Sequence, residues 1–416
     1  MTLVGVLSIV FGFALSVAIA LGLRSPLCVL LFLYHTAASV LYWLYSLSEG
    51  ADAVSYYAAP YDPTAEIKAG THFVTWLTVG LRDLLGASYL DLFMLYHIAG
   101  YIGVILLYQL CRKTVLRNLD VDAPPSPLVY LAAFLPGLHV WTSAIGKDSL
   151  VFLGISCFLW GASKRGAGFV YMLLGLGLCA LIRPHIASLL AGCCALSLAL
   201  SGGVPLHWRV AVVGLLSVML WWGVPYLEDF LKVEELNPVN MASYVADRQN
   251  RNLGGGSSVS IADYSFPFQF FTFMYRPFFI DANGILGLVV SFENLFYLGL
   301  SIFYLPRVVG SLIKGEDAFF LRFNALYWIV GTAILASTTS NLGLAIRQKV
   351  MVAPSLILIS LAACAKEASG SRPSKEAPIQ PLDNAGNLAH SLRMKALEYI
   401  VEARSKWLGI ANTEQR

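Results

Sequence analysis

Cationic side chains stand in this chain where an apolar sequence has least reason to keep them. Ser143-Ala-Ile-Gly-Lys147-Asp148 follows His139-Val-Trp141, and Arg183-Pro-His185 joins two apolar runs. Asn341-Leu-Gly-Leu-Ala-Ile-Arg347-Gln-Lys349 opens another run, and Arg248, Arg251 and Arg276 share one long connection. A guanidinium offers a planar fork of donors that matches a phosphate bidentately, and a lysine adds a compact point charge. Lys147, Arg183, His185, Arg248, Arg276 and Arg347 are therefore the candidate ligands of a diphosphate. Each has a plainer reading as well. An arginine at a helix end can carry its charged head to the membrane surface while its stem stays in apolar surroundings. Lys147 and Asp148 can pair with each other, or Asp148 can cap the helix that follows it. The proline after Arg183 can simply make a turn. The set is harder to explain in these ways than any one member.

Carboxylates and imidazoles near the same connections can supply a general base. Asp52, Asp62, His72, His139, His185 and Glu293 are the residues available, with Asp52, His139 and Glu293 the candidate catalytic groups. Glu293 lies inside an apolar run, Val289-Val-Ser-Phe-Glu-Asn-Leu, where a carboxylate is costly and points to function. A protonated Glu293 bonded to Asn294 or to a neighbouring helix is the alternative. His35 and His97 lie mid-run and read as packing histidines. The seven cysteines fall in or at the ends of apolar runs without metal-ligand spacing, so neither a metal site nor a cofactor is expected. Gly254-Gly-Gly-Ser-Ser258 reads as a hinge, because no lysine follows and no strand precedes it.

The elements that must position these residues follow from composition. Hydrophobic residues make up 57% of the 416 and charged residues 13%, which excludes an ordinary soluble domain. Apolar runs long enough to cross a bilayer recur, and they lack the alternation of a transmembrane barrel. The expected fold is all-α, a polytopic transmembrane helix bundle of about eleven spans: 3–23, 27–47, 89–111, 127–143, 148–162, 167–183, 186–202, 210–226, 284–304, 323–338 and 347–364. The first run has no basic start or small-residue cleavage site and reads as a retained helix. A net charge of +3 gives no reason to expect nucleic acid as a partner.

Lysine and arginine in short loops set the orientation. Arg24, Arg112 with Lys113 and Arg117, Lys164 with Arg165, Arg209, and Arg307 with Lys314 and Arg322 alternate so as to share one side. That side is taken as cytoplasmic, which puts the N-terminus out and the C-terminus in. The bundle is then residues 1–365, with outer loops 48–88 and 227–283, and the candidate diphosphate ligands lie on the outer side, against the charge rule. Within 48–88, the amphipathic stretch Thr71–Leu85 reads as a surface helix. The aromatic stretch Tyr264–Phe279 reads mainly as interfacial anchoring. Residues 366–416 form a cytoplasmic tail, in which an amphipathic helix at about 389–408 carries Arg393, Lys395, Arg404 and Lys406 toward anionic lipid.

Leu-Pro…His-x-Trp-x-Ser-x-x-Gly-Lys-Asp at 135–148, Arg-Pro-His at 183–185 and Arg-Gln-Lys at 347–349, together with a large early outer loop, resemble the Wzy-type and EpsG-like bacterial polysaccharide polymerases. The resemblance spans about residues 30–365. It implies a GT-C-like, metal-independent membrane glycosyltransferase in the bacterial inner membrane, acting on its periplasmic side in exopolysaccharide or O-antigen assembly. The implied donor is an oligosaccharide on undecaprenyl diphosphate, and membrane lipids and other polysaccharide-assembly proteins are the implied partners. Two patterns of the wider group are missing. Val259 and Ala262 stand where an Arg-x10-Gly signature would place glycine after Arg248 or Arg251, and the paired acidic motif of the first outer loop is reduced to Asp52 in Ala-Asp-Ala.

Two other classes compete with this reading. A transporter or flippase for lipid-linked or anionic substrates would place charge on both sides of the midplane, whereas here polar residues crowd toward one side. A membrane acyltransferase would be favoured by a cytoplasm-facing His-Asp pair, and the sequence has none.

Overall fold

The computed structural model describes residues 1–60, 62, 66–116, 126–164, 168–201, 205–253, 257–282, 284–313 and 318–370. Apart from an isolated antiparallel bridge between Ser258 and Asn341, the regular structure among the described residues is helical. The first part of the chain contains α1 (Leu3–Leu23), α2 (Leu27–Glu49), α3 (Asp52–Ala58), α4 (Thr71–Leu85) and α5 (Tyr89–Leu116). The middle contains α6 (Pro127–Ala133), α7 (Pro136–Thr142), α8 (Lys147–Ala162), α9 (Gly168–Ile182), α10 (Pro184–Ala199) and α11 (Leu206–Leu231). Then come α12 (Pro238–Arg251), α13 (Phe266–Tyr275), α14 (Gly284–Ile313), α15 (Ala318–Thr338), α16 (Leu342–Lys349) and α17 (Ala353–Gly370). These elements pack as one unit as far as Ser369. The tail helix expected at 389–408 lies outside the described residues, as does the glycine hinge at 254–256.

The apolar runs become helices because a helix satisfies its own backbone polar groups. Local signals set the ends. Thr2, Ser126, Asn237 and Asn341 each accept a backbone N–H of their own first turn, and Pro127, Pro136, Pro184 and Pro238 begin helices where the missing N–H costs nothing. Among the described residues, five helices are long and apolar enough to cross a membrane: α1, α2, α5, α14 and α15. Two bent pairs raise the number to seven, one within α11 and one formed by α16 and α17, which meet at 56°. The protein is thus a multi-pass helical bundle.

The expected elements change in several places. The run 127–143 is two short helices, because Pro136 disfavours helix in Leu135 and ends α6 before it. The run 347–364 begins earlier, at Leu342, and is broken at 350–352. Arg248 and Arg251, expected on a loop, are in the last turn of α12. The surface stretch 71–85 forms α4, with the residues expected.

α5 is the central post, packing against α1, α2 and α8, and α8 lies against α9. Glycines set the closeness of that last pair. A Cβ added to Gly154 of α8 would sit 2.8 Å from Cys179 Sγ, and one added to Gly175 of α9 would press on the backbone of Phe158. Small residues let membrane helices meet backbone to backbone in this way.

Candidate active site

The turn after α7 delivers the first group. Ser39 Oγ donates to the Ser143 carbonyl at 2.9 Å and ties the turn to α2. Gly146 has φ +153°, a conformation that a side chain would strain, and it lets α8 start at once with Lys147 and Asp148. Arg183 is the N-cap of α10, and Pro184 after it keeps its backbone out of the helical region, at φ −142° and ψ 80°. Arg347 comes from α16, whose start is fastened by Asn341 and by two backbone bonds to the preceding long connection, Val259 N to Ser340 O and Leu342 N to Ser257 O. Asp52 begins α3.

These four elements bring together one charged chain. Arg183 Nη2 donates to Asp148 Oδ1 at 2.9 Å, Arg347 Nε donates to Asp148 Oδ2, and Arg347 Nη1 donates to Asp52 Oδ2 at 2.6 Å. Side-chain exposure is 13% at Arg183, 5% at Asp148, 20% at Arg347 and 59% at Asp52, so the Asp52 end lies at an open rim and the Asp148 hub in the interior. Lys147 Nζ donates to Thr71 Oγ1 of α4 at 2.6 Å. Tyr42 and Tyr56 stand within electrostatic reach of Asp52, Asp148 and Arg347. Three cations (Lys147, Arg183, Arg347) face two carboxylates (Asp52, Asp148), which leaves one positive charge in excess. Such a surplus at partly desolvated groups favours a bound anion.

His185 and Arg248 adjoin this cluster. The His185 ring lies 5.7 Å from that of Phe230 and within electrostatic reach of Lys147, Arg183 and Arg248. Arg248 donates from Nε to the Tyr244 hydroxyl at 3.0 Å and faces a cleft of about 470 Å³ that Phe230, Lys232 and Asp247 also line.

The remaining expected groups go elsewhere. Arg276 forms a two-pronged pair with Asp281, at 3.0 and 2.7 Å, outside the cluster. Glu293 is buried, accepting the Gly137 N–H of α7 at 2.7 Å and the Tyr297 hydroxyl at 2.9 Å. Asn294 is not its partner; it donates to the Pro277 carbonyl and receives the Lys349 ammonium, which also donates to the Arg276 carbonyl at 2.9 Å. His139 is fully buried, with Nε2 on the Ala133 carbonyl at 2.7 Å and Nδ1 facing His35 Nδ1 at 3.1 Å. The mid-run histidines thus pack with His139, and His97 bonds Thr36 beside them. His72 is exposed on α4.

Sequence reasoning gave no part in the site to four further residues. Asp148 is the hub of the cluster, but an aspartate at a helix start reads equally well as a cap. Lys349 is buried, although its neighbours in sequence give no sign of a partner. Tyr42 and Tyr56 belong to segments whose many aromatics hide them. Among the described residues, no group of three or more His, Cys, Asp or Glu side chains is arranged to hold a metal ion. Compared with protein-family models, with curated proteins and with solved structures, the chain finds no match.

Proposed function

We propose that the protein is an integral membrane glycan polymerase, a glycosyltransferase using a polyprenyl-diphosphate-linked oligosaccharide donor. In this reading it is an eleven-span protein of the bacterial inner membrane, N-terminus out and C-terminus in, with its chemistry on the periplasmic side and its product an exopolysaccharide or O-antigen. The observation that carries the proposal is the convergence of Arg183, Arg347 and Lys147, with a surplus of positive charge, at three helix ends. The acceptor hydroxyl oxygen attacks the anomeric carbon of the donor sugar. The bond from that carbon to the diphosphate oxygen breaks, and its electron pair leaves with the diphosphate. Arg183, Arg347 and Lys147 neutralise the charge growing there. Asp148 accepts hydrogen bonds from both guanidinium groups and so orients them toward the leaving group. Asp52, the exposed carboxylate at the rim, takes the acceptor's proton. His139 and Glu293 are held in buried hydrogen bonds, and this reading gives them no part in the step.

The test is polymer formation by the purified protein from a polyprenyl-diphosphate-linked oligosaccharide. Lysine keeps the charge but loses the fork. Arg347→Lys and Arg183→Lys should each lower turnover about a hundredfold, equivalent to roughly 3 kcal/mol of transition-state stabilisation. Arg24→Lys, at the αL residue ending α1, should change little. Near-normal polymer from both cluster variants would reject the proposal.

A transporter or flippase for lipid-linked anions is the second reading. The buried Lys349, Asn294 and Glu293 on α16 and α14 favour it, since ionisable groups inside a membrane bundle often mark a translocation route. Substrate crossing in sealed vesicles without polymer formation would select it.

A further inference from the structure

The end of α11 and one face of α12 form the cleft of about 470 Å³ that Arg248 faces. Asn240, Tyr244, Asp247, Arg248 and Arg251 line it from α12. They recur at intervals of three and four residues, so a single helix face supplies this wall. The wall is fastened from outside the cleft. Gln249 Nε2 and Asn252 Nδ2 donate to the Ser337 and Thr338 carbonyls of α15, at 2.7 and 2.9 Å. The Leu236 N–H donates to Glu228 Oε1 at 2.9 Å and fixes the turn between α11 and α12. Lys232 lines the cleft from the end of α11, in the left-handed conformation with φ 59° and ψ 46°. Glycine is the usual residue there, and a lysine kept in that conformation points to a use for its side chain.

The charges of the lining do not balance. Asp247 pairs with Arg251 at 2.6 Å, and the two cancel. Lys232 and Arg248 remain against the single carboxylate of Glu234, which leaves one positive charge in excess. Arg248 Nε donates to the Tyr244 hydroxyl, and its guanidinium carbon lies 5.3 Å from the centroid of that ring. Among the described residues, Arg248 Nη1 and Nη2 have no protein partner. They form an edge of the guanidinium that can hold a carboxylate by two parallel bonds. A surplus of one charge matches a carboxylate, whereas a phosphate monoester carries about −1.5 to −2.

The cleft also offers neutral hydrogen-bonding groups, Asn240 and Ser243, and apolar surface from Phe230 and Val233. A sugar ring, with hydroxyls at its edge and C–H groups on its faces, uses both. Phe230 links the cleft to the cationic cluster. Its ring lies 5.7 Å from that of His185 and against Gly70, where an added Cβ would come within 2.8 Å of it. Thr71, next to Gly70, accepts from the Lys147 ammonium. We infer that this cleft binds a saccharide bearing a carboxylate, which the free edge of Arg248 reads together with Lys232. This rests on the glycan reading above and adds the charge of the sugar.

The experiment measures binding of uronic acid disaccharides, and of their neutral methyl esters, to the full chain in phosphatidylcholine nanodiscs by saturation-transfer NMR. At low salt the acids should bind about tenfold more tightly than the esters, and the difference should shrink as salt is added. Arg248→Gln should abolish the preference. Arg248→Lys, which keeps the charge but not the fork, should retain only part of it. Lys232→Gly should reduce it; glycine accepts the left-handed backbone, so this variant reads the cleft if Arg248→Gln fails to fold. Size-exclusion profiles report folding. Equal affinity for acids and esters would overturn the site, as would an unchanged preference in folded Arg248→Gln or Lys232→Gly. Tighter binding of glucose 6-phosphate than of the acids would overturn the carboxylate assignment. Charge-selective binding by a protein that makes no polymer would support the site while rejecting the glycosyltransferase reading. Polymer formation without charge-selective binding would do the opposite.

Discussion

Glu293 and Asn294 are neighbours on α14, yet they fasten two different helices. Glu293 accepts the Gly137 N–H near the start of α7, and Asn294 accepts the ammonium of Lys349 at the end of α16. α7 leads through the Ser143–Gly146 turn to Asp148, and Arg347 lies two residues before Lys349. One turn of α14 thus holds both elements that present the central ion pair.

Breaking that support on one side should destabilise the bundle. Lys349→Met removes a buried cation and leaves Asn294 and the Arg276 carbonyl facing an apolar chain, at a cost of about 3 kcal/mol. Adding Asn294→Leu should lower stability little further, because it removes the orphaned amide oxygen while freeing the Pro277 carbonyl in its place. Thermal unfolding of the single and double variants in one detergent measures both effects. A double variant much less stable than the single would contradict this account.

Asp148 and Asp52 both meet Arg347, but burial separates their effects. Asp148→Asn leaves two arginines without their shared counter-charge in a mostly buried place, and about 3 kcal/mol of stability should go. Asp52 is more than half exposed, so Asp52→Asn should cost less than about 1 kcal/mol. Denaturation midpoints of the two variants, measured side by side, check the order.

The Arg276–Asp281 pair should give an acid-sensitive contribution to stability. The Arg276 hydrogen bond is the main cause that holds the Asp281 carboxyl below its ordinary value of 3.8, with the Phe278 N–H assisting. A depressed pKa gives stability that is complete above 3.8 and is lost as pH falls through the lower folded value. Melting curves of the wild type from pH 6 downward should lose stability in that window, and Asp281→Asn should flatten this part of the profile. Identical acid profiles would show that the pair contributes nothing measurable.

The proposed orientation is tested by reporter fusions. A reporter active only outside the cytoplasm should be active when fused after residue 255 and silent when fused after residue 120, as the lysine and arginine distribution requires. The reverse pattern would move the Arg183–Asp148–Arg347 cluster to the cytoplasmic side.

The sequence by itself determined that this chain is a bundle of membrane-type helices, because apolar run length and backbone hydrogen bonding leave few other solutions. It also determined that Lys147 and Arg183 fall at helix starts, since glycine and proline mark those starts locally. Which of the candidate residues meet was decided only by the tertiary structure. Arg347 and Asp148 stand 199 positions apart, and no local pattern encodes a contact of that range. Arg276 looks like Arg183 in sequence but finds Asp281 five residues away, and this nearby carboxylate removes it from the cluster. Glu293 and His139 read as reactive groups because buried polar side chains are costly. The structure adds the hydrogen-bond partners that each of them has, which is how a folded chain meets that cost.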